Sequence, residues 1–227
     1  MPANIQLLPS YRAKTVRENG KQYYLDTNGD RFPSVTTILN ATKPQAAREA
    51  LFNWRQRVGT EEANSITTNA SRRGTSIHKH IQRYLLGEDA VCTEKILPYW
   101  DSIKPVLQDI DEVKLVEGYV FHSNLRYAGR LDCIASYQGI PCICDWKTAD
   151  KPKKSIERLY DAPLQLAAYS GAFNQCYQEY GIKLNHALLV VAIPDIPAEI
   201  FWFEPEEIIN YWEQWQERVT TFWKYRR

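Results

Sequence analysis

The hydrophobic pattern switches from helical to strand spacing at Val113, and that switch does most to limit the folds open to this chain. Upstream, apolar residues recur at helical spacing. Downstream they alternate over about 113–121, 127–136 and 140–147, three strands with a break at Gly139 between the last two. A helix from about 162 to 180 comes next, then strands near 186–193 and 198–203. A final helix runs from Pro205 to the end of the chain, with Ile208, Tyr211, Trp212, Trp215, Val219 and Phe222 on one face. This order is that of an α/β core with a mixed sheet flanked by helices. The C-terminal tryptophans read as core rather than as stacking platforms. At 227 residues there is room for one large domain or a core with an appendage.

The first third reads as that appendage. Glu18-Asn19-Gly20 and Asn28-Gly29 are hairpin turn signals. The acidic stretch around Asn28 is no calcium loop, because Arg31 and Thr37 stand where its sixth and twelfth positions need Gly and Glu. Pro33-Ser34 opens a short helix through Ile38 and Leu39. A second helix starts near Pro44, carries Ala47, Leu51, Trp54 and Val58, and ends at Gly59. Residues 60–70 are polar and read as a connector. A third helix begins near Ser71 and ends at Gly87, with Ile77, Ile81, Tyr84 and Leu85 as its apolar stripe. Residues 95–109 are helical, limited by Pro98 and Pro105. On this reading 1–70 form a hairpin and helical elaboration of the same domain, able to roof a site, and 71–227 form the core.

Charge and cysteine content remove several classes of function. Lys and Arg total 28 against 27 for Asp and Glu, so the net charge of +1 excludes a generally basic binder and leaves room for a local patch. No run approaches the roughly 18 apolar residues of a membrane span. Met1-Pro2-Ala3-Asn4 opens no secretion signal. The expected setting is the cytoplasm of a bacterium or phage-infected host, with no membrane and no obligate protein partner. Cys92, Cys133, Cys142, Cys144 and Cys176 include no C-x-x-C pair, so neither a zinc ribbon nor an iron–sulfur cluster is expected. Cys133, Cys142 and Cys144 read as reduced, buried thiols.

The chemistry concentrates in a few fragments: Arg73-Gly74-Thr75-Ser76-Ile77-His78, Glu117 on the first strand, Gly129-Arg130-Leu131-Asp132, Asp145-Trp146-Lys147, and Gln165-Leu166-Ala167-Ala168-Tyr169. Asp145 and Lys147 are two apart on a strand and leave one face, while Trp146 points to the other. A hairpin through Gly139 brings Asp132 near Asp145. Gln165 and Tyr169 share a helix face. A D-x-K tripeptide alone is usually a solvated ion pair. Here it ends the apolar run Ile140-Pro141-Cys142-Ile143-Cys144, where a charged pair is unusual. Two converging carboxylates suit magnesium or manganese. A neighbouring lysine can orient water or stabilise phosphoryl charge. Together they suit metal-assisted phosphodiester hydrolysis. His80, on another helix face from His78, reads as exposed.

These residues resemble the PD-(D/E)XK nuclease superfamily in its RecB-like branch, among its exonuclease members. The likeness is dense from Gly129 to about Asn174, including Asp145-Trp146-Lys147-Thr148-Ala149-Asp150-Lys151-Pro152. It extends to Gly74-Thr75-x-x-His78 and Pro33-Ser34-Val35-Thr36-Thr37-Ile38-Leu39. The resemblance implies metal-binding roles for Asp132, Asp145 and the Trp146 carbonyl, and a catalytic role for Lys147. It implies a further metal or water ligand in His78, and a site-organising, DNA-contacting pair in Gln165 and Tyr169. Glu117 matches the acid before the core strands, and can also be an ordinary strand residue. The missing cysteines favour the members without a cluster. The function implied is a magnesium- or manganese-dependent DNA exonuclease acting on single-stranded DNA with free ends. A structure-specific endonuclease on the same core and a catalytically inactive member that binds nucleic acid or protein are the alternatives. Arg73, Thr75, Lys151, Lys153 and Lys154 are the expected DNA contacts. Arg48, Arg55, Arg57, Arg72 and Arg73 would form a positive track, with Phe52 or Trp54 for stacking.

Overall fold

A computed structural model describes residues 4–89 and 91–225. Met1–Ala3 of the expected N-terminus and the last two residues of the expected final helix lie outside them. Strands β1 (Lys14–Glu18), β2 (Lys21–Leu25) and β3 (Arg31–Pro33) form an antiparallel meander through the two predicted turns. Helix α1 (Val35–Ala41) follows directly, its first turn capped by Ser34 Oγ, which accepts from the Thr37 amide at 3.0 Å.

Helices α2 (Gln45–Val58) and α3 (Thr60–Leu85) meet at Gly59, whose φ of 87° turns the chain between them. The expected connector at 60–70 is therefore helical, and α3 runs unbroken for 26 residues. Its N-terminal half reads as polar because little packs on it: of residues 60–70 only Ala63 is buried, and α2 buries none. Apolar periodicity detects helices that face a core, and this pair projects instead.

After α4 (Leu97–Leu107) the strands differ from expectation in an informative way. The first two predicted strands are each split, into β4 (Ile110–Val116) and β5 (Tyr119–His122), and into β6 (Tyr127–Arg130) and β7 (Cys133–Tyr137). The breaks face each other. Glu117 N–H donates to the Asp132 carbonyl at 2.8 Å, and Leu131 N–H to the Gly118 carbonyl at 2.9 Å. Glu117 takes a φ of 52° to make the turn. Gly118 is required beside it, because a Cβ there would lie 2.4 Å from Leu115 Cγ. Strands β5 and β6 then leave the main sheet and pair with each other.

The main sheet has the order β10-β9-β8-β7-β4, completed by β8 (Ile140–Thr148), β9 (Ala187–Ala192) and β10 (Glu199–Phe203). The β8–β9 pair is parallel, joined by the crossover helix α5 (Ala162–Cys176); the other pairs are antiparallel. Residues 4–8 run along β4, with Gln6 and Leu8 amides bonded to Val113 and Lys114 carbonyls, which covers that sheet edge. Helix α6 (Pro205–Lys224) starts from a Glu204/Glu207 capping box with Pro205 in its first turn.

Both faces of the sheet are buried. Ile134, Ile143, Leu189 and Val191 pack on α1, α5 and α6. Cys133, Cys142, Cys144, Trp146, Leu188 and Val190 pack on α3 and α4. The three cysteines are free and fully buried, and Trp215 is core. His80 is buried against Trp100, ring centroids 4.3 Å apart, and not exposed as its helix position suggested. Among the described residues no helix is long and apolar enough to cross a membrane.

Candidate active site

The C-terminal half of β8 organises the site. Parallel β9 pairs it through Thr148, whereas antiparallel β7 pairs β8 only as far as Cys144, and the Asp145 and Lys147 side chains project from one face. Trp146 anchors the opposite face, only 2% exposed in the layer under α3 and α4. The Cys133–Cys144 register sets Asp132 beside the end of this strand, where its Oδ2 accepts from the Trp146 amide at 2.9 Å. Helix α3 crosses above and lowers His78 onto the same point. His78 Nε2 lies 2.7 Å from the Trp146 carbonyl. That oxygen can only accept, so Nε2 carries a proton. His78 Nδ1 faces Asp132 Oδ1 at 3.4 Å and Glu117 Oε1 at 3.9 Å.

On the other side Lys147 Nζ sits 2.6 Å from Asp145 Oδ2 and donates to Gln165 Oε1 at 3.3 Å. Gln165 Nε2 in turn donates to Tyr169 Oη at 3.0 Å. The α5 segment carrying both is held by Tyr127, whose hydroxyl donates to the Ala168 carbonyl at 2.7 Å. Gly129 lets α5 come this close: a Cβ there would fall 2.2 Å from the Tyr169 ring. Arg130 closes the rim, its Nε 3.0 Å from Glu117 Oε2. Beside His78 and Glu117 lies an open cleft of about 500 Å³, lined also by Gly74, Thr75, Lys79, Gln82 and Arg130.

The groups titrate in different directions for identifiable reasons. Burial raises Asp145, against the pull of Lys147 and with the push of Asp132. Burial works to raise Asp132 too, but His78, Lys147 and the Trp146 amide outweigh it and hold its carboxyl below the ordinary range. Burial and Asp132 raise Glu117, against Arg130 and His78. Burial would lower His78, yet Asp132 and then Asp145 push it up to about 9. Lys147 is raised as well: burial opposes its charge, and Asp145 and Asp132 more than compensate. Without a cation the site thus carries a protonated imidazole and an ammonium against its carboxylates.

The residues fit a divalent cation on two observations. His78, Glu117 and Asp132 each offer a ligand atom, all within 4.8 Å of one another. Asp145 Oδ2 is buried and, although in ionic contact with Lys147, has no hydrogen bond of good angle. Carboxylate oxygens with one imidazole form a donor set for a hard or borderline cation.

Each expected site residue can now be placed. His78, Glu117, Asp132, Asp145, Lys147, Gln165 and Tyr169 converge. The Trp146 carbonyl also faces the site, but it accepts from His78. Asp145 turns to Lys147 rather than joining the His78–Glu117–Asp132 group. Thr75 Oγ1 donates back to the Ser71 carbonyl of its own helix. Arg73 is engaged: Nη1 pairs with Asp150 at 2.7 Å, Nε donates to Thr148 Oγ1 at 3.3 Å, and the guanidinium lies 4.8 Å from the Tyr99 ring centroid. Lys151 and Lys154 are exposed and Lys153 half-buried on the loop after β8. Three supports escaped sequence reasoning. Arg130 and Asp150 lay inside quoted fragments, and an unassigned charge next to a site acid was a usable signal. Tyr99, whose hydroxyl donates to Asp150 at 2.9 Å, gave no signal because its partner is 51 positions away.

A family model described as the PD-(D/E)XK nuclease superfamily matches residues 44–224. Three curated proteins, each called mitochondrial genome maintenance exonuclease 1, are similar over most of this chain. The one from Mus musculus is 35% identical over 198 residues, covering 84% of this chain and 58% of that protein. The one from Xenopus tropicalis is 36% identical over 200 residues, 85% and 57%. The one from Homo sapiens is 34% identical over 199 residues, 84% and 58%. The chain therefore spans somewhat more than half the length of these relatives.

Proposed function

This chain belongs to the PD-(D/E)XK nuclease superfamily, and we propose from that premise that it is a metal-dependent DNA exonuclease that prefers single-stranded DNA with free ends. The observation that carries the reading is the meeting of Asp132, Asp145, Lys147 and His78 at the end of one buried strand beside an open cleft. The names of the three relatives, all exonucleases, support it.

Asp132 and Asp145, with His78 and Glu117 in reach, would hold the cation, magnesium or manganese. When bound, the cation supplies Lewis acidity to the scissile phosphate. Lys147 would hold the attacking water and stabilise charge that develops on the phosphate, as a preorganised ammonium in a partly dehydrated site. Gln165 fixes the lysine, and Tyr169 fixes Gln165. Lys151, Lys153 and Lys154, on the loop that continues β8, would contact phosphates. So would Arg73 and Thr75, at the price of the contacts they now make.

Preference for free ends rests on the projecting α2–α3 pair. The pair carries Arg48, Arg55, Arg57 and Arg72 and exposes Leu51 and Phe52, although Arg55 donates to Asn64 Oδ1 at 2.6 Å and Arg48 to the Ala41 carbonyl at 3.0 Å. Such a pair suits a roof under which one strand is threaded. Linear and circular single-stranded DNA of one sequence, incubated with magnesium or manganese and with chelator, provide the test. Cation-dependent loss of the linear form alone is expected. Equal loss of both would replace this reading with an endonuclease on the same core.

A further inference from the structure

The loop between β8 and α5 ends in a residue whose conformation the site chemistry leaves unexplained. Tyr160 has φ 56° and ψ −121°, a combination that side-chain-bearing residues disfavour. Its neighbours are fixed. Leu159 and Ala162 are buried, and Asp161 Oδ1 lies 3.5 Å from Arg218 Nη2. Between these anchors Tyr160 is 81% exposed. The strained backbone thus holds a large apolar ring out in solvent on a rigid base.

Two further facts locate this ring. It lies two residues before α5, and the fourth residue of that helix is Gln165, the partner of Lys147. Lys153 Nζ lies 5.8 Å from its ring centroid. The lysine is held there by its backbone: the Lys153 and Lys154 amides donate to the two Glu199 carboxylate oxygens at 2.5 and 2.8 Å, tying the loop to β10.

We propose that Tyr160 and Lys153 form a nucleotide subsite beside the active site, the ring stacking on one unpaired base and the ammonium taking an adjacent phosphate. An exposed aromatic next to a cation is the pairing by which sequence-independent binders hold single strands. It would explain why a strained conformation persists at this position. The proposal rests on the nuclease reading above and deepens it, by naming a site for an unpaired base.

The test uses the full chain with Lys147→Ala to stop cleavage, and single-stranded oligonucleotides in which one abasic residue is moved along the strand. One position should show binding weaker by about tenfold when its base is missing. In Tyr160→Ala that position should lose its sensitivity, while Tyr160→Phe keeps it. Tyr160→Gly should bind as Tyr160→Ala does, yet melt at a higher temperature because the strain is gone. Identical abasic profiles with and without the ring would overturn the subsite, including the case where Tyr160 serves a protein contact instead. Failure of the chain with Lys147 intact to bind or cut intact DNA would instead sink the nuclease reading itself.

Discussion

Asp132, in the break between β6 and β7, and Asp145, on β8, lie side by side with their carboxyls shifted in opposite directions. Asp132 is held below its ordinary range, so its contribution is present above the unfolded value near 3.8 and is lost as pH falls through the lower folded value. Asp145 is raised by burial, so the protonated form is the one the fold favours. That contribution is complete below 3.8 and is lost as pH rises through the folded value. Near neutral pH and without metal, Asp132→Asn should therefore lower the melting temperature, and Asp145→Asn should lower it less, because the gain from removing a buried carboxylate is set against the loss of the nearest counter-charge of Lys147. Both should reduce cleavage by on the order of 100-fold or more, as should Lys147→Ala. Calorimetry in chelator decides; equal losses of stability would contradict the assigned directions. His78 adds a pH effect on cation binding. Its proton is held up to about 9 and must leave before Nδ1 can ligate. Cation affinity should then climb between pH 6.5 and 9 in the parent chain and flatten in His78→Ala. A parent affinity flat over that range would remove His78 from the ligands.

The elements show where sequence reasoning works and where it stops. Strand β8 was legible because its apolar run ends in charges, and α5 because Gln165 and Tyr169 share a face. The opposed breaks at Glu117-Gly118 and Leu131-Asp132 were not legible, because alternation continues across them and only tertiary hydrogen bonds reveal them. Yet these breaks present two of the site carboxylates. The helical 60–70 segment was missed for the reverse reason, as it has almost no buried face to set a period. Gly129 reads as a strand glycine, and its role appears only against α5. Gly129→Ala should push the Tyr169 ring away, loosen Gln165 and Lys147, and cost about 1–3 kcal/mol of stability. Tyr169→Ala alone should cost about 3–5 kcal/mol as a buried ring is lost, and adding Gly129→Ala to it should cost little more, because the clash is already gone. That non-additivity, read from melting temperatures and cleavage rates of the four proteins, checks the contact. Additive losses would mean that Gly129 acts elsewhere.

At the scale of the whole molecule, a net charge of +1 gives no general attraction to DNA, so affinity must come from local basic groups arranged around an acidic centre. The loop after β8 is the clearest such place, since Lys151, Lys153 and Lys154 continue the strand that bears Lys147. Each phosphate neutralised on a single strand releases counterions and adds roughly 0.7 to the slope of log affinity against log salt. Replacing Lys153 and Lys154 together by Gln should make that slope shallower by about 1.4 if both contact phosphate. Their side chains lie outside the His78–Glu117–Asp132 group, so cation binding should be untouched. A cation that binds only the folded chain should stabilise it by about 2.7 kcal/mol at a hundredfold excess over its dissociation constant, and that effect should persist in the double variant. Asp132→Asn and Asp145→Asn should reverse the pattern, keeping the salt slope and losing most of the cation's effect on melting. Salt titrations and melting curves on the same preparations separate the two sets of groups. An unchanged slope in Lys153→Gln/Lys154→Gln would move the phosphate contacts away from this loop and leave the arginines of the α2–α3 pair to carry the DNA.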